Sequence, residues 1–303
     1  MRLPAAAIDL GTNTARLLIG YIEPHRGIRP VLIKRWITRL GGGFTRDGGI
    51  SKEAWERSVS ALADFAEEIE KYGVTRLRAV ATSAVREAVN GKSFCDQVFI
   101  KTGIRLEVID SREEGLLTLQ GVMSGIKESS GDLLVFDIGG GSTEYTLALG
   151  GNPHFTDSLP LGVVRLTEGK KDSRAMVDKI SRELTGLRAR LENQDLLDLF
   201  DRLTLVGTAG TATTLAAISL KMTDYDYSRV NNFTLPLQEI RDICALLLPM
   251  TPDERLQVPG LEKGREDLII AGILITIETM EMFGFTHLTV SDSGLLEGVL
   301  LGS

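Results

Sequence analysis

Two cysteines in 303 residues, Cys95 and Cys244, lie far apart and form no C-x-x-C pair. That excludes a disulfide framework and a thiolate zinc site, and it points to a reducing compartment. Only three histidines occur, His25, His154 and His287, and they are scattered. A histidine metal site or a Ser-His triad therefore lacks support, and any general base is expected to be a carboxylate. Basic charge is not in excess: 34 Lys and Arg against 41 Asp and Glu give a net charge of −7. This argues against general nucleic-acid binding and against binding to anionic membranes. The uncharged apolar run at 268–277 is far shorter than the roughly 20 residues a spanning helix needs. No secretory leader reads at the N-terminus, because Asp9 interrupts the apolar start. The expectation is a cytoplasmic protein with no membrane and no nucleic-acid partner.

What is present is a globular composition, 43% hydrophobic and 25% charged, long enough for two domains. Short apolar strands are predicted at 5–9, 16–21 and 31–40, followed by a glycine-rich loop, "GGGFTRDGG". Ser51 caps a predicted helix running to about Tyr72. Its apolar positions Trp55, Val59, Leu62, Phe65, Ile69 and Tyr72 recur every three or four residues, and Gly73 stops it. "LRAVAT" is a strand leading into the short helix "SAVREAVNG", and "RLEVI" is another strand. "DSREEGLLTLQGVMSGI" opens a helix capped by Asp110 or Ser111. After Ser130 the order begins again: a glycine turn at 137–143, a strand, "LPLGVVRLTE", and a long helix near 173–199. Then come a strand, Gly/Thr turn and helix at 203–220, further helices including 265–283, the strand "HLTVSD" and the final helix "GLLEGVLL". Two series of alternating strands and helices predict an α/β protein of two similar lobes with a ligand cleft between them.

Two stretches head the two series: "AAAIDLGTNTARLLIG" and "LLVFDIGGGSTEYTLAL". They align without gaps, with Asp9 over Asp137, Gly11 over Gly139, Thr12-Asn13-Thr14 over Gly140-Gly141-Ser142, and Arg16 over Glu144. A Gly/Ser/Thr turn between strands can present several backbone N–H groups to one phosphate. An Asp at its start becomes sensible if it holds a divalent cation against the phosphate oxygens. The alternative is a pair of tight hairpins that need glycine for backbone reasons alone. "GTAGT" at 207–211 is a third phosphate-type loop at a helix start, or an ordinary strand-to-helix connection. Glu114 fits the S-x-x-E capping box with Ser111, and locally that is the stronger reading over a general base. Arg86 reads as a solvated helix residue, or as a phosphate clamp just after a strand end.

These motifs, with "RLGGGF", "AVATSAVREA", "DSREEG", "VGTAGTATTLAA", "AGILI" and "VSDSGLLEGVL", run nearly end to end in order. The chain thereby resembles the exopolyphosphatase / guanosine pentaphosphate phosphatase (Ppx/GppA) family, in its short two-domain form. The resemblance implies two actin-like (ribonuclease H-like) lobes of the actin–sugar kinase–heat-shock ATPase superfamily, at 1–119 plus 290–303 and at 120–289. It further implies release of terminal orthophosphate from polyphosphate or guanosine pentaphosphate with Mg2+, a place in the stringent response, and a homodimer. By motif, Glu114 falls on the catalytic base, and Asp137 and Glu144 fall on the acidic positions for metal and water, with Asp9 as a further metal candidate. Arg86 falls on a phosphate-contacting arginine. The phosphate-binding set comprises Gly11, Thr12, Asn13, Thr14 and Arg16, then Gly139, Gly140, Gly141, Ser142 and Thr143, and lastly Gly207, Thr208, Gly210 and Thr211. Two departures are visible: Leu296 stands where the family often has Arg, and Thr12 and Thr14 stand where Ser is common. An ATP-using kinase or ATPase of the same superfamily shares the loops, and a non-catalytic sensor of guanosine tetra- or pentaphosphate is the alternative from another class.

Overall fold

The computed structural model describes residues 4–23, 27–45, 47–127 and 131–303; His25, Arg46 and Ser130 of the sequence reading lie outside these. The chain divides into two compact units, Met1–Ser124 with Gly294–Ser303, and Gly125–Ser293.

The first unit begins with β1 (Ala5–Leu10), β2 (Thr14–Glu23) and β3 (Gly27–Ile37), then α1 (Lys52–Lys71), β4 (Arg76–Ala81), α2 (Ser83–Glu87), α3 (Gly91–Thr102), β5 (Leu106–Val108) and α4 (Ser111–Gly125). Its sheet has the order β3-β2-β1-β4-β5, antiparallel for the first three strands and parallel from β1 onward. Alternation sends Ile8, Leu10, Leu17 and Ile19 to one face, against Leu62 and Phe65 of α1 and Phe94 of α3. Leu62 and Phe65 are fully buried, each contributing about 2–3 kcal/mol. Ala5, Ala7, Leu18 and Val80 line the other face with Leu117 of α4. Ser51 caps α1, as the spacing predicts, by accepting from Ala54 N. Helix α3 has no counterpart in the sequence reading. Its buried Phe94 and Val98 are blurred in the sequence by the exposed Phe99 and Ile100, and Asn90 before it bonds Ile50 on both of its amide groups instead of capping the helix.

The second unit holds β6 (Leu133–Ile138), β7 (Thr143–Leu149), β8 (Asn152–Leu159), α5 (Val163–Gly169), α6 (Ser173–Glu192), β9 (Thr204–Thr208), α7 (Ala209–Ser219), α8 (Tyr227–Val230), β10 (Thr234–Pro236), α9 (Leu237–Leu247), α10 (Pro252–Arg255), α11 (Ile269–Phe283) and β11 (His287–Val290). The sheet order is β10-β11-β9-β6-β7-β8. Reading β6, β7, β8, β9 and β11 as first to fifth strands gives the order of the first unit, with β10 added at the edge. Leu134, Phe136 and Leu147 pack with α6, α7 and α11 in one large core. Helix α6 ends at Glu192, short of 199, where Asn193 caps it and Asp195 turns with φ +56°. Helix α11 starts at Ile269, after Arg265. Helix α12 (Leu295–Leu301) then returns to the first unit, where Leu296 is buried in the apolar core. The fold is α/β, with two units whose sheets share one strand order. Among the described residues no helix is long and apolar enough to cross a membrane.

Candidate active site

Each unit carries a hairpin turn at the end of its first strand, and one bond closes both. Gly11 N donates to Thr14 O at 2.9 Å, and Gly139 N donates to Ser142 O at 3.0 Å. What lies behind each turn then orients it. In the second unit Val163 N donates to Gly139 O, Val164 N and Arg165 N to Gly140 O, and Arg165 Nε to Gly141 O. Three consecutive carbonyls thus face the start of α5. In a trans peptide the following N–H points opposite to its C=O, and no cis bond occurs among the described residues. The N–H groups of Gly140, Gly141 and Ser142 therefore point together away from α5, a concave donor set suited to an oxyanion. In the first unit Gly41 N bonds Thr12 O, and Thr38 N and Arg39 N bond Asn13 O, which turns the N–H groups of Asn13 and Thr14 outward in the same way. The "RLGGGF" and "LPLGVVRL" motifs are thus equivalent props. Both need glycine for close approach: a Cβ on Gly41 would lie 2.3 Å from Thr12 Cγ2, and one on Gly162 would lie 2.1 Å from Gly140 O. Thr143, assigned to phosphate by motif, gives its buried hydroxyl to Leu161 O.

Strand register decides which side chains stand beside each turn. Asp9 is directly opposite Arg16, and Asp137 is directly opposite Glu144, and such pairs share a face. Arg16 donates from Nε at 2.9 Å and from Nη2 at 2.6 Å to Asp9 Oδ2. Asp9 Oδ1 is buried with no hydrogen-bond partner, as is Asn13 Oδ1. The second unit instead sets two carboxylates side by side, 8% and 2% exposed. Directly opposed like charges are destabilising, and burial raises the cost, so the pair suits a hard cation that binds oxygen. Among the described residues no group of three or more His, Cys, Asp or Glu is placed to share a metal. Mg2+ characteristically takes one or two carboxylates and completes its shell with water and phosphate.

Glu114 is resolved by its surroundings. The helix cap is Asp110, whose Oδ1 accepts from Glu113 N at 2.8 Å, so the box position is Glu113 and the S-x-x-E reading of Glu114 is displaced by one residue. Glu114 is 7% exposed and accepts from Arg86 Nη1 at 3.0 Å; the same nitrogen donates to Ile109 O at 2.9 Å. Arg86 is thus tied to the carboxylate instead of lying free on its helix.

The "GTAGT" segment is not a loop. Gly207 and Thr208 belong to β9 and the helix begins at Ala209, which takes up a left-handed φ of +61°. Gly207 serves packing, since a Cβ there would crowd Leu288, Phe136 and Ala212. Thr208 donates to Ser293 O, and Thr211 is buried against Gly272. At Gly210 the space of a Cβ is filled by the Arg265 guanidinium. That guanidinium already has a carboxylate partner, its Nε donating to Glu262 Oε2 at 3.2 Å. Nearby, Tyr225 donates to Asp292 Oδ2 at 2.6 Å. Burial of that hydroxyl and the Asp292 carboxylate push its ionisation well up, so it serves as a neutral donor. Arg265, Asp292 and Tyr225 were not among the candidate residues read from the sequence, although Asp292 lies within "VSDSGLLEGVL". Ser158, which donates to Glu144 Oε1 at 2.7 Å, was reachable by pairing 143–149 with 152–159 across the Gly150-Gly151 turn.

A family model described as the Ppx/GppA phosphatase family matches residues 19–303. Exopolyphosphatase 2 of Mycobacterium tuberculosis is 34% identical over 311 residues, covering 98% of this chain and 97% of that protein. A bifunctional 3-dehydroquinate synthase/phosphatase of Fusobacterium nucleatum is 32% identical over 310 residues; this chain spans about half of that longer protein, 46%. Among solved structures, an Aquifex aeolicus PPX-GPPA enzyme matches with a TM-score of 0.80 and 32% identity over 99% of each chain.

Proposed function

Because the chain belongs to the Ppx/GppA phosphatase family, we propose that it is an exopolyphosphatase, removing orthophosphate one unit at a time from the end of inorganic polyphosphate. Guanosine pentaphosphate offers the same terminal phosphoanhydride and is the second candidate substrate. The observation that carries the reading is the buried Asp137–Glu144 pair beside a turn whose N–H groups converge on one point.

In this reading the amides of Gly140, Gly141 and Ser142 bind phosphate oxygens, and those of Asn13 and Thr14 do the same for the first unit's turn. Asp137 and Glu144 would hold a divalent cation such as Mg2+, which when bound supplies positive charge against the phosphate oxygens. Asp9 is the weaker ligand candidate, since Arg16 occupies its Oδ2. Glu114 takes a proton from the attacking water as its oxygen bonds to the terminal phosphorus; the bridging P–O bond breaks, leaving orthophosphate and a chain one phosphate shorter. Arg86 holds the Glu114 carboxylate in place. Positioning and charge stabilisation carry most of the rate in such a transfer.

The test is phosphate release from long-chain polyphosphate and from guanosine pentaphosphate, with and without Mg2+. Glu114→Gln should lower kcat on the order of 10²-fold or more while the protein still melts cooperatively. Near-full activity of Glu114→Gln would remove its role as base, and absence of release from both substrates by the wild-type protein would overturn the assignment.

A further inference from the structure

We propose that Ser158 is a positioning residue whose hydroxyl holds the Glu144 carboxylate ready for a cation. The inference rests on the cation reading of Asp137 and Glu144 given above. Register places Thr208, Asp137, Glu144 and Ser158 in one row across β9, β6, β7 and β8. Side chains so paired stand on one face with Cβ atoms about 5 Å apart, and all four end in oxygen. Glutamate has three rotatable side-chain bonds, and Glu144 faces a second buried carboxylate that repels it. The 2.7 Å bond from Ser158 Oγ to Glu144 Oε1 is charge-assisted and supplies the counter-pull.

The first unit provides the comparison. Its equivalent row reads Val80, Asp9, Arg16 and Arg35. There the acid is opposed by a cation and the ion pair orients itself, and the position matching Ser158 holds an arginine. The hydroxyl thus stands beside the carboxylate pair and is replaced where an ion pair takes its place. Ser158 is partly exposed on β8, so loss of one oxygen there leaves the apolar core untouched.

The measurement is Mn2+ binding to the full chain, read by the electron paramagnetic resonance signal of free Mn2+. Ser158→Ala should weaken binding roughly tenfold, the effect typical of removing a partner of a metal ligand, while the metal-free protein still melts cooperatively. Ser158→Thr, which keeps the hydroxyl, should restore most of the affinity. Glu144→Gln should bind far more weakly than either. Wild-type affinity in Ser158→Ala overturns the inference, and so does a lowered melting temperature with unchanged affinity. Equal weakening in Ser158→Thr also overturns it. A wild-type chain that binds no Mn2+ overturns the cation reading itself, and the inference with it.

Discussion

Gly162→Ala is the sharpest perturbation of the phosphate turn, because it adds one methyl group and changes nothing else. Gly162 sits at φ −100°, ψ 150°, extended backbone that alanine adopts without strain. The new Cβ would lie 2.1 Å from Gly140 O, 2.2 Å from Gly140 C and 2.3 Å from Gly141 C. All three are backbone atoms of the turn, so no flexible side chain can yield. Ordinary contact between carbons is about 3.5–4.0 Å, so α5 and the turn must separate by roughly 1 Å or more. Overpacking of this kind costs about 1–3 kcal/mol, or some 2–5 °C in Tm for a chain of 303 residues. The larger effect is on rate: a 1 Å misplacement of binding groups costs about 10²-fold. Gly169→Ala is the matched control at the other end of α5, where a Cβ would meet nothing within 4 Å. Alanine there should add about 0.5–1 kcal/mol to stability and leave kcat/KM unchanged. Phosphate release and thermal melts of both variants make the test. Wild-type kcat/KM in Gly162→Ala would refute the role of the Gly140, Gly141 and Ser142 amides, and equal losses in both variants would refute the steric cause.

Two further predictions concern stability. Tyr145 and Thr279 are fully buried and share a 2.7 Å hydroxyl bond; Tyr145→Phe should cost about 1–2 kcal/mol by leaving a buried hydroxyl short of a partner, and adding Thr279→Val should cost less than the two single changes together, as denaturant melts would show. The Lys34 ammonium, bonded to Glu68 at 2.9 Å, holds that carboxyl below its ordinary value. A carboxylate held low stabilises the fold above the usual Glu range and ceases to do so as pH falls through its folded value. Lys34→Met should therefore lower Tm at pH 7, and its gap to wild type should close below about pH 4; a gap independent of pH would refute the pairing.

Local pattern made much of the fold legible. Helix α1 follows from its apolar spacing and its Ser51 cap, and the two Asp-x-Gly turns announce the two sheets. Elements whose signal is tertiary were not legible. In helix α3 the exposed Phe99 and Ile100 mask the buried pair Phe94 and Val98, and its would-be cap bonds elsewhere. Strand β10 is three residues long and gains its hydrogen bonds only from β11. "GTAGT" reads as a loop because glycine and threonine favour turns, yet β9 pairs with β6 and β11 through Gly207 and carries it into the sheet. Glu114 illustrates the limit most plainly. Four adjacent letters make it a cap, while Arg86, 28 residues earlier, makes it a held carboxylate.

The sequence by itself determined the duplicated hairpins and the asymmetry between them, Arg16 in one and Glu144 in the other, because both are properties of short contiguous stretches. Only the tertiary structure decided what that asymmetry means. Register across non-adjacent strands pairs Asp9 with a cation and Asp137 with a second acid, and it sets Ser158 beside that acid pair. The segments after β3 and β8 turn the hairpin carbonyls inward and their amides outward. Hydrogen-bond direction and like-charge opposition depend on which atoms meet in space, and chain neighbours alone do not specify that.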